Sequence, residues 1–288
     1  MAISDSHRLG QLIGIMLERA MKPKLQSVLG PTHFLDSVST SRVARGSRKK
    51  VKWVDAQGNS HDLDFVIEQN GTDLVFGNPK AFIECAWRRY TKHSKNKAQE
   101  IQGAIIPLAQ TYANDKPFLG AILAGEFTAP SLTQLISHGF TVLYISYQEI
   151  IQAYSSIGID ISYDENSSLL DLKSKADCLE QLSLVQQDLV IQHLYVLIQL
   201  KLNNFLMQLT TSLNRTISKI IIQPLYGSSS LFTDILSAKT YLSSLNLSLP
   251  PNNLVFDKLF IYVEYCNGDN FRAEFGTTLD GLNFLANF

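Results

Sequence analysis

Cysteine is scarce in this chain: Cys85, Cys178 and Cys266 are the only three in 288 residues, widely spaced and odd in number. That excludes a disulfide framework and the paired spacings of a zinc site, and it favours a reducing, intracellular setting. The six histidines show no metal-ligand spacing either. No apolar run is long enough to span a bilayer. The best candidate, "LVIQHLYVLIQLKLNNFLMQL", is interrupted by Gln, His, Lys and Asn. The start, "MAISDSHRLGQLIG", lacks the basic opening and apolar core of a signal peptide. A soluble cytoplasmic protein without a membrane partner is expected. There is no internal repeat and no low-complexity segment. The only loop that suggests a phosphate cradle, "LYGSSS" (225–230), lacks the lysine of a P-loop.

Net charge is nearly absent too, at −1, so nothing global marks a polyanion ligand. The distribution is less even. Residues 42–97 hold twelve bases: Arg42, Arg45, Arg48, Lys49, Lys50, Lys52, Lys80, Arg88, Arg89, Lys92, Lys95 and Lys97. Only six acids oppose them. A basic block inside a neutral protein reads either as a polyanion footprint or as a solvated face.

The length permits one large domain or two modest ones. Residues 8–29, "RLGQLIGIMLERAMKPKLQSVL", read as a helix apolar around most of its circumference. After a polar stretch come "KKVKWV", the turn "DAQGN", "HDLDFVIE", a second turn and "AFIECAW", three strands spaced for an antiparallel meander. Ser94 is placed to cap the next helix, "KNKAQEIQGAIIPLAQTYA". "FLGAILAG" and "FTVLYIS" are continuous apolar strands of the kind buried on both faces, with a short helix between them. The order is αβββαβαβ, an α/β fold with a mixed β-sheet core flanked by helices. Its third and fourth strands are parallel because a helix joins them. Beyond about residue 165 the chain becomes Leu-rich at helical spacing, then suggests a hairpin at Asn267-Gly268 and a final short helix. A division into residues 1–164 and a mostly helical region 165–288 is expected.

Two acids stand out because each interrupts an apolar strand: Asp64 in "HDLDFVIE" and Glu84 in "AFIECAW". Alternation puts Glu84 on one face with Phe82 and Ala86. An ionised carboxylate is costly to bury unless it is paired, hydrogen-bonded or bound to a metal. Two on adjacent strands repel, and a divalent cation with a preference for oxygen ligands, Mg²⁺ or Mn²⁺, resolves the repulsion. For either acid alone the plainer reading is a strand-end carboxylate facing water or an arginine. The pair with a basic helix behind it favours a site. On that helix the apolar stripe runs through Ile101, Ala104, Ile105, Leu108 and Tyr112. Counting 100° per residue, Lys97 lies roughly 40° from it and Lys95 roughly 120°. Lys97 therefore points toward the sheet, while Arg88, Arg89, Lys92 and Lys95, with Arg48, Lys49 and Lys50, are placed for phosphates. The plainer reading of Lys97 is a solvated lysine snorkelling off the core edge.

The element order, with an Asp opening the second strand and a Glu about twenty residues later in the third, resembles the PD-(D/E)XK nuclease superfamily. That is the fold of most type II restriction endonucleases. The resemblance covers about residues 8–146. It implies Mg²⁺-dependent hydrolysis of phosphodiester bonds in double-stranded DNA, leaving a 5′-phosphate and a 3′-hydroxyl, by a homodimer of the restriction type. Asp64 matches the first acid of the pattern and Glu84 the acid of its E-x-K element. The metal is then held by Asp64, Glu84 and the backbone carbonyl of Cys85, and the catalytic set is Asp64, Glu84 and Lys97. The lysine expected two residues after Glu84 is Ala86 here, so Lys97, on the following helix, is the replacement. Gln99, Glu100 and Glu18 resemble polar residues that some branches hold near the metal, although Glu18 falls opposite the Leu9/Ile13/Met16 stripe. The rival readings are a catalytically inactive DNA-binding or assembly protein on the same fold, and a protein-interaction module built on the helical half.

Overall fold

The computed structural model describes residues 4–248 and 254–288. By its internal contacts the chain forms two compact units, Met1–Leu213 and Asn214–Phe288. The division falls well beyond residue 164, because the Leu-rich helices expected to start a second domain pack into the first unit.

The first unit begins with α1 (Asp5–Gln26), whose N-cap Ser4 accepts from the His7 amide. Next come β1 (His33–Ser37), β2 (Val51–Val54), β3 (Ser60–Leu63), β4 (Phe65–Gln69) and β5 (Asn78–Arg88). Then follow α2 (Ser94–Thr111), β6 (Phe118–Gly125), α3 (Ala129–Ser137), β7 (Thr141–Ser146) and α4 (Tyr147–Ser155). Three further helices complete it: α5 (Leu169–Glu180), α6 (Leu184–Leu197) and α7 (Gln199–Leu213). The central sheet has five strands in the order β1-β4-β5-β6-β7. The β1/β4 and β4/β5 pairs are antiparallel, and β5/β6 and β6/β7 are parallel, so the sheet is mixed as expected.

One sequence expectation is corrected here. "KKVKWV" is not in the central sheet; β2 pairs only with β3, as a separate hairpin around Gly58, where φ is +85°. Its place in the meander belongs to β1, which lies in the stretch read as polar. "HFLDS" does not look like a core strand because Asp36 and Ser37 are polar, yet both are buried.

The sheet separates two apolar layers, and strand alternation sorts β5 between them. Ala81, Ile83 and Trp87 face α1, α4, α6 and α7. Phe82 and Ala86 face α2 and α3, joined by Val51, Trp53 and Leu63 of the β2/β3 hairpin. Nearly all of β6 is buried, as its continuous apolar sequence requires. At its end Gly125 adopts φ +98°, where a side chain would collide with the Arg88 carbonyl oxygen; that oxygen accepts from the Glu126 amide at 2.7 Å. This close approach fixes the end of β5. Only a glycine permits it.

Helix α1 is not apolar all round. Leu9, Ile13, Met16, Leu17, Ala20 and Met21 are buried, but Ser4, His7, Gln11 and Ile15 form an exposed opposite face. Ser94 is not a cap for α2 either. It is the first residue of the helix, which continues from a 3₁₀ turn at Thr91–His93, and its hydroxyl meets Thr91 O at 2.8 Å and Ser131 Oγ at 3.0 Å.

The second unit is a four-stranded antiparallel sheet with two helices: β8 (Ile217–Pro224), β9 (Ser230–Phe232), α8 (Ile235–Ser244), β10 (Leu259–Tyr265), β11 (Asn270–Phe275) and α9 (Thr278–Leu285). Its strand order is β11-β10-β8-β9. The expected turn at Asn267-Gly268 joins β10 to β11, with Gly268 at φ +87°. Ile220, Ile222, Leu242, Leu259, Ile261, Val263 and Leu285 form its core. The expected hairpin and final helix are thus present, whereas β8 and β9 lie where the sequence suggested no strand. Among the described residues no helix is long and apolar enough to cross a membrane.

Candidate functional site

The site grows out of a mismatch in strand length. β4 begins at Phe65, which pairs with Ile83, but β5 continues to Arg88 alongside β6 alone. From Glu84 onward β5 has lost its antiparallel neighbour, and its amides on that side need other partners. Asp64 supplies one. It occupies the bend between β3 and β4, and its Oδ2 accepts the Cys85 N–H at 2.7 Å. Continuing the β4/β5 register sets Asp64 against Glu84. The two acids are thus neighbours because a strand stops.

Glu84 leaves β5 on the same face as Phe82 and Ala86, toward α2. There Lys97, in the first turn of α2, brings its Nζ to 3.1 Å from Glu84 Oε1. Both side chains are largely buried, 14% and 15% exposed. The other Glu84 oxygen, Oε2, is buried with no hydrogen-bond partner. A buried carboxylate oxygen left unsatisfied is costly and calls for an explanation.

Electrostatics tie a third acid to this pair. Burial raises the Glu84 carboxyl to about 7, with Asp64 and Glu18 adding repulsion and Lys97 opposing them. Burial also raises Asp64, against the stabilising Cys85 N–H and the charge of Lys97. Glu18, on α1, rises to about 7 through burial and the charge of Asp64. The Cys85 thiol is held well above its ordinary value by burial and the surrounding carboxylates. Those surroundings disfavour the thiolate form. Of the three carboxyls only Glu84 forms a salt bridge with Lys97, so their mutual repulsion is not balanced by that lysine.

Among the described residues no group of three or more His, Cys, Asp or Glu side chains is arranged to hold a metal ion. The donors that do converge are hard carboxylate oxygens, one of them without a partner. Such a set fits Mg²⁺ or Mn²⁺, because Mg²⁺ commonly takes one or two carboxylates and keeps several waters.

A cleft of about 770 Å³ opens beside this cluster. One wall is α1, with Ser6, His7, Gly10, Gln11, Gly14 and Glu18; the other includes Cys85, Arg88, Arg89, Tyr90 and Lys97. His7 and Gln11 were missed by the sequence reading. Their signal was present, since Ser4, His7, Gln11, Gly14 and Glu18 recur at helical spacing on the face opposite the apolar stripe.

The remaining candidates are scattered. Gln99 is exposed, whereas Glu100 reaches Lys97 at 3.7 Å and Arg88 at 3.6 Å. Arg89 is held within the protein: its Nε donates to Tyr163 O at 2.7 Å and its guanidinium lies 3.9 Å from the centre of the Tyr147 ring. Lys92 pairs with Glu165 and Lys50 with Asp62. Arg48 bonds the Arg45 carbonyl, and Lys49 and Lys95 are exposed without an ion pair among the described residues. Two members of the basic block are not on the surface at all. Arg42 and Arg45 are buried, so they are removed from any footprint. Arg42 meets Asp36 at 2.9 Å and Glu68 at 2.5 Å.

Comparisons of the chain with protein-family models, with curated proteins and with solved structures give no match.

Proposed function

We propose that this protein is a metal-dependent DNA endonuclease of the PD-(D/E)XK kind, acting on double-stranded DNA in the manner of a type II restriction enzyme. The observation that carries the reading is the convergence of Asp64, Glu84 and Lys97 around a buried carboxylate oxygen with no partner. The mixed sheet, with the acids at the point where β4 stops and β5 runs on, supports a restriction-endonuclease-like core.

Asp64 and Glu84 would hold Mg²⁺ or Mn²⁺, together with the Cys85 carbonyl. Cys85 gives its N–H to Asp64, and in a strand the C=O of the same residue faces the same edge. When bound, the ion would supply Lewis-acid polarisation and offset the repulsion between Asp64 and Glu84. Lys97 contributes a fixed positive charge beside the reacting phosphate and a donor that orients the attacking water. Glu84 Oε1 holds that ammonium in place. Glu18, raised to about 7 by burial and Asp64, is poised to take or return a proton near neutral pH at the cleft wall. Arg88 sits where it can pair with a flanking phosphate.

Digestion of methylated and unmethylated genomic DNA with Mg²⁺ tests the reading. Defined ends bearing 5′-phosphates are expected from the wild type and none from Asp64→Ala or Glu84→Ala. Full activity in either variant excludes the assignment. Lys97→Ala is expected to be inactive, and adding Ala86→Lys to it asks whether a lysine at the E-x-K position restores cutting. A homodimer is part of the proposal, to be checked by the mass in solution.

A further inference from the structure

Four helices of the first unit, α1, α4, α5 and α6, border a cavity of about 170 Å³. Leu12 and Met16 of α1, Leu179 of α5 and Leu182 beyond it give it apolar walls. Three polar side chains join them, and each is already engaged. Arg19 donates to Gln187 Oε1 and meets Asp188 at 2.7 Å. Gln187 Nε2 donates to Leu182 O at 2.9 Å. Arg8 holds both Glu180 oxygens, at 2.7 and 2.5 Å.

Tyr154, on α4, is the exception. It lines the cavity and is 2% exposed, yet its hydroxyl is buried with no hydrogen-bond partner among the described residues. Burial alone holds its ionisation above the ordinary range, so it stays a neutral phenol. A buried hydroxyl without a partner forfeits the bonds it makes in water. Packing needs only the ring, and phenylalanine would supply that without the loss.

Size, charge and the unused hydroxyl together describe an occupant. An apolar cavity of roughly 150 Å³ takes a benzene ring. The charged groups at this cavity, Arg19 and Glu180, are matched within the protein, so an ion would enter without a counter-charge. The Tyr154 hydroxyl offers one hydrogen bond, as donor or acceptor.

We infer that this cavity binds a small neutral organic molecule, a single ring or a short branched chain, through one hydroxyl or carbonyl oxygen bonded to Tyr154 Oη. The site shares no residue with the Asp64, Glu84 and Lys97 set, and it does not rest on the nuclease reading.

Phenol and toluene, nearly equal in shape and different by one hydroxyl, are the probes, titrated into the full chain at pH 7 and followed by NMR. Phenol should bind the wild type with a Kd on the order of 1 mM. Tyr154→Phe keeps the ring and removes the bond. The ratio of phenol to toluene affinity should then fall about tenfold, while Tm equals or exceeds that of the wild type because no bond within the protein is lost. An unchanged ratio overturns the inference and leaves water as the partner of the hydroxyl. A Tm lower by about 2–4 °C overturns it as well, since that is the cost of a hydrogen bond to the protein itself. So does failure of the wild type to bind phenol. None of these outcomes bears on the nuclease reading.

Discussion

The central sheet carries two buried acid–base clusters, and they are built to opposite specifications. At β1 and β4, Asp36 and Glu68 enclose Arg42. Its Nη1 and Nη2 reach both Glu68 oxygens, at 2.5 and 2.9 Å, and Nη1 also meets Asp36 at 2.9 Å. Its remaining donors take the carbonyls of Thr72, at 3.0 Å, and Val75, at 2.7 Å. Phe34 and Phe76 hold the guanidinium at 4.5 Å each. Arg45 approaches the other Asp36 oxygen at 3.6 Å. Two acids meet two bases and the formal charges balance, although Asp36 Oδ1 and Arg45 Nε are both buried without a hydrogen-bond partner. At β4 and β5 the charges do not balance: among the described residues the only salt bridge made by Asp64, Glu84 or Glu18 is that of Glu84 with Lys97. One cluster ties a loop to the sheet; the other, on the proposed function, would hold a cation.

That contrast is open to attack from several sides. The largest expected effect is on cutting. Glu84→Gln should lower the cleavage rate by roughly a thousandfold or more while the protein stays folded, as circular dichroism would show. A folded Glu84→Gln variant that cuts at the wild-type rate would dissolve the distinction. Arg42→Met should do the reverse of leaving the fold intact, costing about 3–5 kcal/mol because Asp36 and Glu68 are stranded in the interior. Urea denaturation measures it, and a loss near zero would show that the paired-charge cluster is not structural.

A smaller effect concerns pH in the metal-free protein. Glu84 and Glu18 both rise from 4.5 to about 7 in the fold, so the folded state binds more protons than the unfolded state between those values. Their raised carboxyls favour folding below pH about 4.5, and that favour is lost as pH climbs toward 7. Tm without metal should therefore fall across this window, and Glu84→Gln should flatten the slope. A rising Tm attributable to Glu84 would contradict the direction assigned to it. The smallest effect is that of the ion. Mg²⁺ at a hundred times its dissociation constant should stabilise the wild type by about 2.7 kcal/mol, and Asp64→Ala should erase the gain. Equal stabilisation of both would place the ion elsewhere.

The Asp64–Glu84 cluster was the more legible of the two. Asp64 and Glu84 each break an apolar strand, and helical arithmetic alone turned Lys97 toward them. The paired-charge cluster was misread because a buried ion pair has the same composition as a solvated basic face: Arg42 and Arg45 counted as surface charge, and "HFLDS" was left inside a polar stretch. Glu18 was ranked low for lying off the apolar stripe of α1. A helix edging a cleft has two working faces, and periodicity marks only the apolar one. The boundary near 165 was placed where leucine frequency changes, but composition does not say which sheet a helix covers.

The early stop of β4 has one more consequence. A strand without a neighbour displays bare amides, and such edges invite pairing with another chain. The Asp64 carboxylate covers the Cys85 amide, so it also guards this stretch of β5 against strand addition. Asp64→Ala would uncover the edge as well as disable the site, and a preparation that aggregates would mimic one that is merely inactive. Asp64→Asn removes the charge but keeps an acceptor for that N–H. For experiments on catalysis it is the better-behaved substitution.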